Sequence, residues 1–513
     1  MNDNHRIAKN TILLYLRMLL VMGVSLYTSR IVLATLGVSD FGIYNVVGSI
    51  VTMFVFLRSA MGNATNRYIA FSLGKGDFEK LKKVFSTCLI VHFILALIII
   101  FLCETIGLWI FYYKMVIPPE RMTAAFWTYQ FSIITCAIGI ICVPYDADII
   151  AHEKMGAFAF MSVLDVSLKL LVVLLLTYFT GDKLIYYGLF LCIIQVIDRI
   201  IYGMYCHKKF EESRAGLAWD GMLVKEMFSF AGWNIIGNMA AIGCTPVLNI
   251  LLNMFFGPVV NAARGIAIQV QSAVNGFVAN FQLAIFPQIT KTYASGDLDR
   301  MHKLIIYGSK FSYILFFCIA LPLLLETESI LSFWLVEVPD HTVSFLRIVL
   351  FIMIVESFER PLHTANLATG KLRIFQTVKG CTLLTMLPIA YIALKAGAPS
   401  EAVFVVQLVV TIISLIIQLF MIRPLINLPL LLYFKEVFLR SLLVTVVSFP
   451  LPLFLHSIIP SGGIVLLIVK CMITSIIVAL CSFFIGLSKV EREQIIKKIK
   501  SIMDRRHNMA LSD

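Results

Sequence analysis

The sequence predicts an all-α polytopic membrane protein of fourteen transmembrane helices, laid out as two pseudo-symmetric six-helix bundles and two further C-terminal helices. Three observations predict it. The 513-residue chain is 59% hydrophobic and 14% charged, with a mean hydropathy of +0.90, more apolar surface than a water-soluble fold can bury. Fourteen apolar runs, each near the roughly 20 residues that cross a bilayer, fall at 10–34, 41–66, 85–111, 122–144, 157–179, 184–206, 228–253, 259–286, 304–325, 342–364, 374–395, 399–422, 433–456 and 462–486. One stretch is used twice. Tyr68–Lys83 (YIAFSLGKGDFEKLKK) overlays Gln288–Lys303 (QITKTYASGDLDRMHK), pairing Gly76 with Gly296 and Asp77 with Asp297 at an offset of 220 residues.

A second echo pairs PYDADIIAHEKMGAF from Pro144 with PLHTANLATGKLRIF from Pro361 at an offset of 217. Such a period in a membrane protein points to two homologous halves with a site between them. The expected organisation is an N-terminal bundle over 1–206, an interfacial linker over 207–227 and a C-terminal bundle over 228–422. Two more helices occupy 423–486, and a basic tail 487–513. Between 489 and 506 the tail places Ile495, Ile499, Ile502 and Met503 on one face with basic residues elsewhere, the pattern of a helix lying on an anionic leaflet.

The formal charge is +12, but its distribution argues against a nucleic-acid surface. With the N-terminus inside, inner loops hold Lys75, Lys80, Lys82, Lys83, Lys154, Lys208, Lys209, Lys291, Arg300, Lys303 and Arg423, among others. Outer loops hold only Lys114, Arg121, Lys183 and Lys395. The positive-inside rule then places both termini in the cytoplasm. Six helices per repeat is an even number, so both copies point the same way. The first apolar run contains Arg17 and lacks a small-residue cleavage site, so a cleaved signal peptide is not expected. The eleven cysteines lie mostly in apolar runs at irregular spacing; neither a disulfide framework nor a metal site is expected.

No nucleotide motif survives inspection. Gly370 and Lys371 look like the end of a phosphate-binding loop, but Leu372 stands where Ser or Thr is required. Loops of roughly 20 residues at most leave no soluble catalytic domain, so the chain is not expected to be an enzyme. Polar rows are the clearest chemical signal. At about 100° per residue, Arg264, Gln271, Asn275 and Gln282 share one sector of the eighth run, and Asn234, Asn238, Thr245 and Asn249 one of the seventh. The second run carries Asn45, Ser49, Thr52, Ser59, Asn63 and Arg67, and the first Asn10, Arg17 and Thr28. Runs 1, 2, 7 and 8 are equivalent under the repeat, so they are expected to line an aqueous cavity. Interhelical hydrogen bonding, which also favours Asn, Ser and Thr, is the alternative reading.

Charges inside the spans each cost several kcal/mol unless paired or wetted. Asp165 and Lys169 stand one turn apart, Lys169 near the midplane, and Glu356 and Arg360 make a similar pair on the tenth run. They are candidates for coupling or for plain ion pairing. Asp198 and Arg199 sit in the inner half of the sixth run. Arg30 lies near the outer rim, and Lys470 reads as a simple snorkelling side chain.

The run SRIVLATLGVSDFGIYNVVGSIVTMF from Ser29, followed by NATNRYIAFSLGKGD to Asp77, resembles the bacterial polysaccharide-export flippases of the Wzx, or O-antigen, type. These share the MOP superfamily with the MATE transporters and the lipid II flippases. The resemblance covers almost the whole chain, and its motifs are diffuse patterns along helices. It implies two MATE-like bundles around a central cavity in the bacterial inner membrane. It also implies transport of an undecaprenyl-diphosphate-linked oligosaccharide to the periplasmic leaflet, for lipopolysaccharide or related surface-polysaccharide biosynthesis. A diphosphate needs fixed cations, for which arginine's planar fork is suited, and sugars need amide and hydroxyl partners. The candidate substrate-binding set is therefore Arg17, Arg30, Asn45, Arg67, Lys169, Asn234, Asn238, Arg264, Gln271 and Asn275, with Asp165, Glu356 and Arg360 as coupling or ion-pair residues. Expected partners are the lipid-linked oligosaccharide, membrane lipids and polysaccharide polymerase machinery, and the chain is expected to act as a monomer. No cofactor is expected. The sequence leaves open whether a proton gradient, a sodium gradient or downstream consumption drives transport. Rival readings are a MATE-type cation or drug antiporter, which needs carboxylates facing the cavity, and a polymerase or ligase, which needs a large periplasmic loop.

Overall fold

The computed structural model describes residues 3–152, 154–214, 216, 218–370, 372–458, 462–489, 491–493 and 496. The side chains of 3–15, 60, 63, 74, 230, 231, 233–241, 279, 280, 283, 284, 287, 294 and 372 lie outside the described set. Helix dominates, and no strand occurs among the described residues. The first helices are α1 (Asp3–Thr52), α2 (Val55–Lys75), α3 (Phe78–Leu102), α4 (Leu108–Tyr113), α5 (Met122–Ile141), α6 (Val143–Ala151), α7 (Met155–Leu176) and α8 (Lys183–Lys209). Next come α9 (Gly221–Phe256), α10 (Pro258–Ala294), α11 (Leu298–Leu325), α12 (Thr327–Trp334), α13 (Thr342–Thr369), α14 (Leu372–Leu384), α15 (Met386–Lys395) and α16 (Ala402–Ile426). The last four are α17 (Leu430–Tyr433), α18 (Arg440–Ser448), α19 (Pro450–Ile458) and α20 (Gly463–Cys481). Among the described residues ten helical stretches are long and apolar enough to cross a membrane; the chain is a multi-pass membrane protein.

The repeat is visible in local geometry. Gly76 (φ 70°) and Gly296 (φ 75°) both take left-handed backbone at a helix end. Each donates its N–H 3.0 Å to the residue three before it, Leu73 or Tyr293. Asp77 and Asp297 then cap α3 and α11, accepting 3.0 Å bonds from the Lys80 and Arg300 amides; such a cap contributes about 1 kcal/mol. The offset of 220 recurs at a break that sequence reading did not single out. Gly37 (φ 79°, ψ 168°) kinks α1, and Gly257 (φ 77°, ψ −171°) separates α9 from α10. This backbone region is essentially closed to residues with a Cβ, so a glycine at each corner is what lets consecutive spans turn so tightly.

Two compact units can be distinguished. The first comprises Met1–Ala273, Trp334–Leu346 and Gln376–Val410; the second comprises Val274–Phe333, Arg347–Phe375 and Thr411–Asp513. Residues 228–273, expected from the sequence in the C-terminal bundle, thus pack within the first unit. There α1 lies along α7 and α9, α2 against α9, α6 and α3, and α5 along α8. At Cys103–Gly107 helix α3 widens into a π-turn before α4. The Cys103 carbonyl accepts a 2.8 Å bond from the Tyr129 hydroxyl, which satisfies a main-chain acceptor in an apolar setting. A Cβ at Gly107 would collide with that hydroxyl. Arg121 grips two acids at once, with Nε 2.8 Å from Asp40 Oδ1 and Nη1 2.7 Å from Asp182 Oδ2. Asp182 also caps α8 through the Leu184 amide at 3.0 Å.

Gly216 and Ala218, in the 207–220 segment, are bonded to α3. Ser86 of α3 donates 3.2 Å to the Gly216 carbonyl, and Thr87 3.3 Å to that of Ala218. Asp220 caps α9 through the Met222 and Leu223 amides, and Met227 is fully buried. In the second unit α20 packs along α11. Tyr313 of α11 donates 3.1 Å to the Ser441 carbonyl, and Ser475 of α20 donates 2.9 Å to that of Cys318. The tail expected to lie on the membrane, 489–506, falls for the most part outside the described residues.

Candidate functional site

Part of the polar rows lies in the first unit, where at one end the side chains saturate each other; Asn275 and Gln282 belong to the second unit. Asn45 and Ser49 of α1 bond back to their own helix, to the carbonyls of Phe41 and Asn45, each at 2.7 Å. Asn249 of α9 donates 2.6 Å to Ser49 Oγ and 3.3 Å to the Asn45 carbonyl. Asn261 of α10 donates to the Asn249 carbonyl at 2.7 Å and its Oδ1 at 2.8 Å. Asn253 in turn donates 2.9 Å to Asn261 Oδ1, and its own Oδ1 accepts 2.7 Å from the Val116 amide. Helices come close enough for this because of small residues at the crossing. A Cβ at Gly42 would overlap the Pro258 carbonyl, and one at Gly265 would meet Asn45. Here the interhelical reading of the row holds; Asn253 and Asn261, which complete it, were not foreseen from the sequence.

One turn beyond Asn261 the situation reverses. Arg264 is 1% exposed, yet its guanidinium makes one hydrogen bond, Nη2 to the Thr245 carbonyl at 3.0 Å. Nε and Nη1 are buried without a partner. The Phe404 ring lies 5.4 Å away, and no acidic neighbour stands close to it among the described residues. A buried cation with idle donors is poised for an anion. Gln271 and Asn275, further along α10, are partly buried, and Gln269 donates 3.1 Å to the Ser25 carbonyl of α1. Gln282 donates 2.9 Å to Ser312, with its Oε1 unpartnered.

A second group of charges gathers among α2, α6, α7 and α8 of the same unit, with Lys169 and Asp165 part-exposed. Lys169 Nζ lies 2.8 Å from Asp165 Oδ2. Asp198 faces Asp165, with Lys169 and Asp146 close by. Arg58 of α2, missed by sequence reading inside an apolar run, acts on Asp146 and lies against Gly139 beside Gln195. Arg199 donates 2.9 Å to the Tyr145 hydroxyl. Arg17 stacks 4.3 Å over the Phe158 ring with its Nε buried and unpartnered. Arg30 is half-buried and Arg67 exposed. The side chains of Asn234 and Asn238 lie outside the described residues. On α13 of the second unit Glu356 and Arg360 are both partly buried. Lys470 departs from the expected snorkelling role: it is 5% exposed and holds Glu326 Oε1 at 3.1 Å, with His456 Nδ1 2.9 Å from the same oxygen. An apolar helix carries the lysine, but its acid comes from 144 residues away, out of reach of sequence periodicity.

Comparison with known proteins agrees with this architecture. Residues 14–116 match the MatE family model. An inward-facing structure of a multidrug resistance MATE family transporter of the MOP superfamily superposes with a TM-score of 0.63. It is 14% identical, over 80% of this chain and 94% of that one. The chain has the MATE fold. An outward-facing structure of a multidrug resistance MATE transporter gives 0.59 at 14% identity, over 82% of this chain and 96% of that one. A MOP superfamily transporter from Pyrococcus furiosus, described by the reverse polarity of its binding pocket, gives 0.58 at 14% identity with the same coverage. Among curated proteins none matches by sequence.

Proposed function

We propose that this chain is a flippase that moves an undecaprenyl-diphosphate-linked oligosaccharide from the cytoplasmic to the periplasmic leaflet by alternating access. In this reading it works in the bacterial inner membrane, with both termini cytoplasmic, and feeds surface-polysaccharide assembly. The MATE fold supports a transporter. The observation that carries the choice of cargo is Arg264, a buried guanidinium with two unpartnered donors. A cation exporter gains nothing from such a group, whereas a diphosphate supplies the charge and acceptors it lacks. For the Pyrococcus furiosus relative, pocket polarity was the ground for inferring a different function; the same property is the one to weigh here. Arg17, Arg30, Arg67 and Lys169 are further candidate contacts for the head group, and Gln271 and Asn275 for sugar hydroxyls; Asn45, bonded within the interhelical network, is not among them. The polyprenyl tail can remain in lipid.

The test is rescue of a flippase-deletion strain, scoring lipid-linked intermediates by leaflet. Hydrogen bonds to a charged group contribute about 1.5–3 kcal/mol, so Arg264→Ala is expected to lower export about 10–100-fold. Arg264→Lys should restore part of it, keeping charge but losing the fork. Lys114→Ala, on an exposed side chain over Trp109, is the control; Lys470 is unsuitable because it is buried. Undiminished export by Arg264→Ala at equal protein level would refute the assignment.

A second reading rests on the Asp146, Asp165 and Asp198 group. Three acids share an interior with Arg58 and Lys169, as a proton- or sodium-coupled antiporter of MATE type would require. Under that reading Asp198→Asn abolishes ion-driven uptake in vesicles and Arg264→Ala leaves it intact.

A further inference from the structure

We infer that Asp148, His152 and Glu212 form a binding site for a divalent cation of the zinc class. Asp148 and His152 stand one turn apart at the end of α6, and Glu212 opens the short turn of the 207–220 segment. His152 Nε2 is 2.6 Å from Glu212 Oε1 and 3.7 Å from Asp148 Oδ1, and one ligand atom from each residue falls within 4.8 Å of the others. Donor atoms around a tetrahedral zinc bound at about 2.0–2.1 Å sit roughly 3.3 Å apart. The observed separations bracket that value.

An independent feature makes the cluster more than a group of acids. Asp148 is fully buried and neither of its carboxylate oxygens has a hydrogen-bond partner. Glu212 is 3% exposed. Two buried carboxyls therefore face one imidazole, and with both ionised even an imidazolium leaves one negative charge uncompensated. Lys82, the basic side chain acting on Glu212, is held 3.0 Å from Glu79. A divalent ion supplies both the missing charge and the missing partners. The imidazole is already oriented: its ring stacks on that of buried Phe210 at 4.1 Å with an interplanar angle of 10°. Imidazole nitrogen with carboxylate oxygen suits zinc and its neighbours better than magnesium or calcium, which favour all-oxygen sets.

The chain contains its own control. At the offset of 217, Asp148 corresponds to Ala365 and His152 to Thr369, again at the end of a helix, α13. The repeated helix end is thus built without either group, so the fold does not demand them. A bound ion would tie the linker turn at Glu212 to α6.

The experiment uses the untagged full chain in detergent, stripped with a chelator, dialysed and titrated with zinc, then with cobalt as a spectroscopic stand-in. One zinc per chain and cobalt d–d absorption are expected. Asp148→Asn and Glu212→Gln should each weaken zinc binding by more than the about 10–100-fold that losing an outer partner of a ligand causes. The double variant Asp148→Ala, His152→Thr, which installs the residues of the second copy, should fold and bind no zinc. Failure of the wild-type chain to take up zinc, or equal uptake by the double variant, overturns the proposal.

Discussion

Replacing Asn261 by Ala tests whether the amide network holds helices together or waits for cargo. Asn261 is fully buried and joins three hydrogen bonds, two donated to Asn249 and one accepted from Asn253. Asn253 keeps the Val116 carbonyl at 3.3 Å, and the Asn249 main-chain carbonyl lies inside α9 and keeps its helical bond. Asn249 Oδ1 is the atom left without a donor. An orphaned buried acceptor costs about 1–3 kcal/mol, while interhelical bonds in membranes average about 0.6 and reach about 1.7 kcal/mol each. The expected destabilisation is therefore about 2–4 kcal/mol. Removing Asn249 as well deletes the orphan, so the double variant should fall short of additivity by about 1–2 kcal/mol. Unfolding in detergent can be followed by thiol-reactive dye, since buried Cys88, Cys103, Cys206 and Cys244 react once exposed. A change below about 0.5 kcal/mol in Asn261→Ala, or strict additivity of the pair, would refute a structural role.

Lys470→Ala should destabilise by about 3–5 kcal/mol, because it strands buried Glu326. The double change Lys470→Met, Glu326→Gln should lose far less, and equal losses in a thermal-unfolding cycle would show that the pair is not coupled. At the loop residue Glu401, burial raises the carboxyl pKa, but His341 at 2.7 Å and Ser344 at 2.9 Å outweigh it and hold the pKa below 4.5. A carboxyl depressed by folding contributes stability present above about pH 4.5 and lost as pH falls through its folded value; melting curves at descending pH should show that loss in the wild type and not in Glu401→Gln. Gly37→Ala and Gly257→Ala should each cost about 1–3 kcal/mol by forcing a Cβ into backbone nearly exclusive to glycine. Gly76→Ala, in the left-handed region, should cost about 1–2 kcal/mol, and unfolding midpoints give the order.

The features legible in the sequence were those whose cause is local. Gly76 with Asp77 and Gly296 with Asp297 announce a helix end and a helix start, because left-handed backbone wants glycine and a first-turn amide wants a carboxylate. The pair Asp165 and Lys169 was legible for the same reason, being one turn apart on one helix. What depends on rotation and register between helices was not. Nothing in the apolar stretch around Arg58 says that it faces Asp146, and Lys470 cannot be told from a snorkelling lysine without Glu326. The corner glycines Gly37 and Gly257 obey the same repeat offset, yet a glycine between two spans is too common a residue to stand out before its backbone angles are known.

Residue type alone also could not divide the polar rows into structure and site, and the count of satisfied donors does. Along α10, Asn261 uses both its donor and its acceptor within the protein, and Gly265 accepts Asn45 against its backbone. Arg264, between them in sequence, uses one nitrogen of three. Asparagine at such a position fixes helix spacing and is then exhausted. Arginine retains two buried nitrogens without a protein partner, a condition that lowers stability unless something else gains from it. This sets up opposite signatures for neighbouring residues. Loss of Asn261 should weaken the fold and reduce transport only as far as protein is lost. Replacement of Arg264 by Met should leave the melting temperature unchanged or raise it while lowering export about 10–100-fold, as Arg264→Ala does. If Arg264→Met instead unfolds the protein, the guanidinium is structural, and the case for an anionic cargo loses its main support.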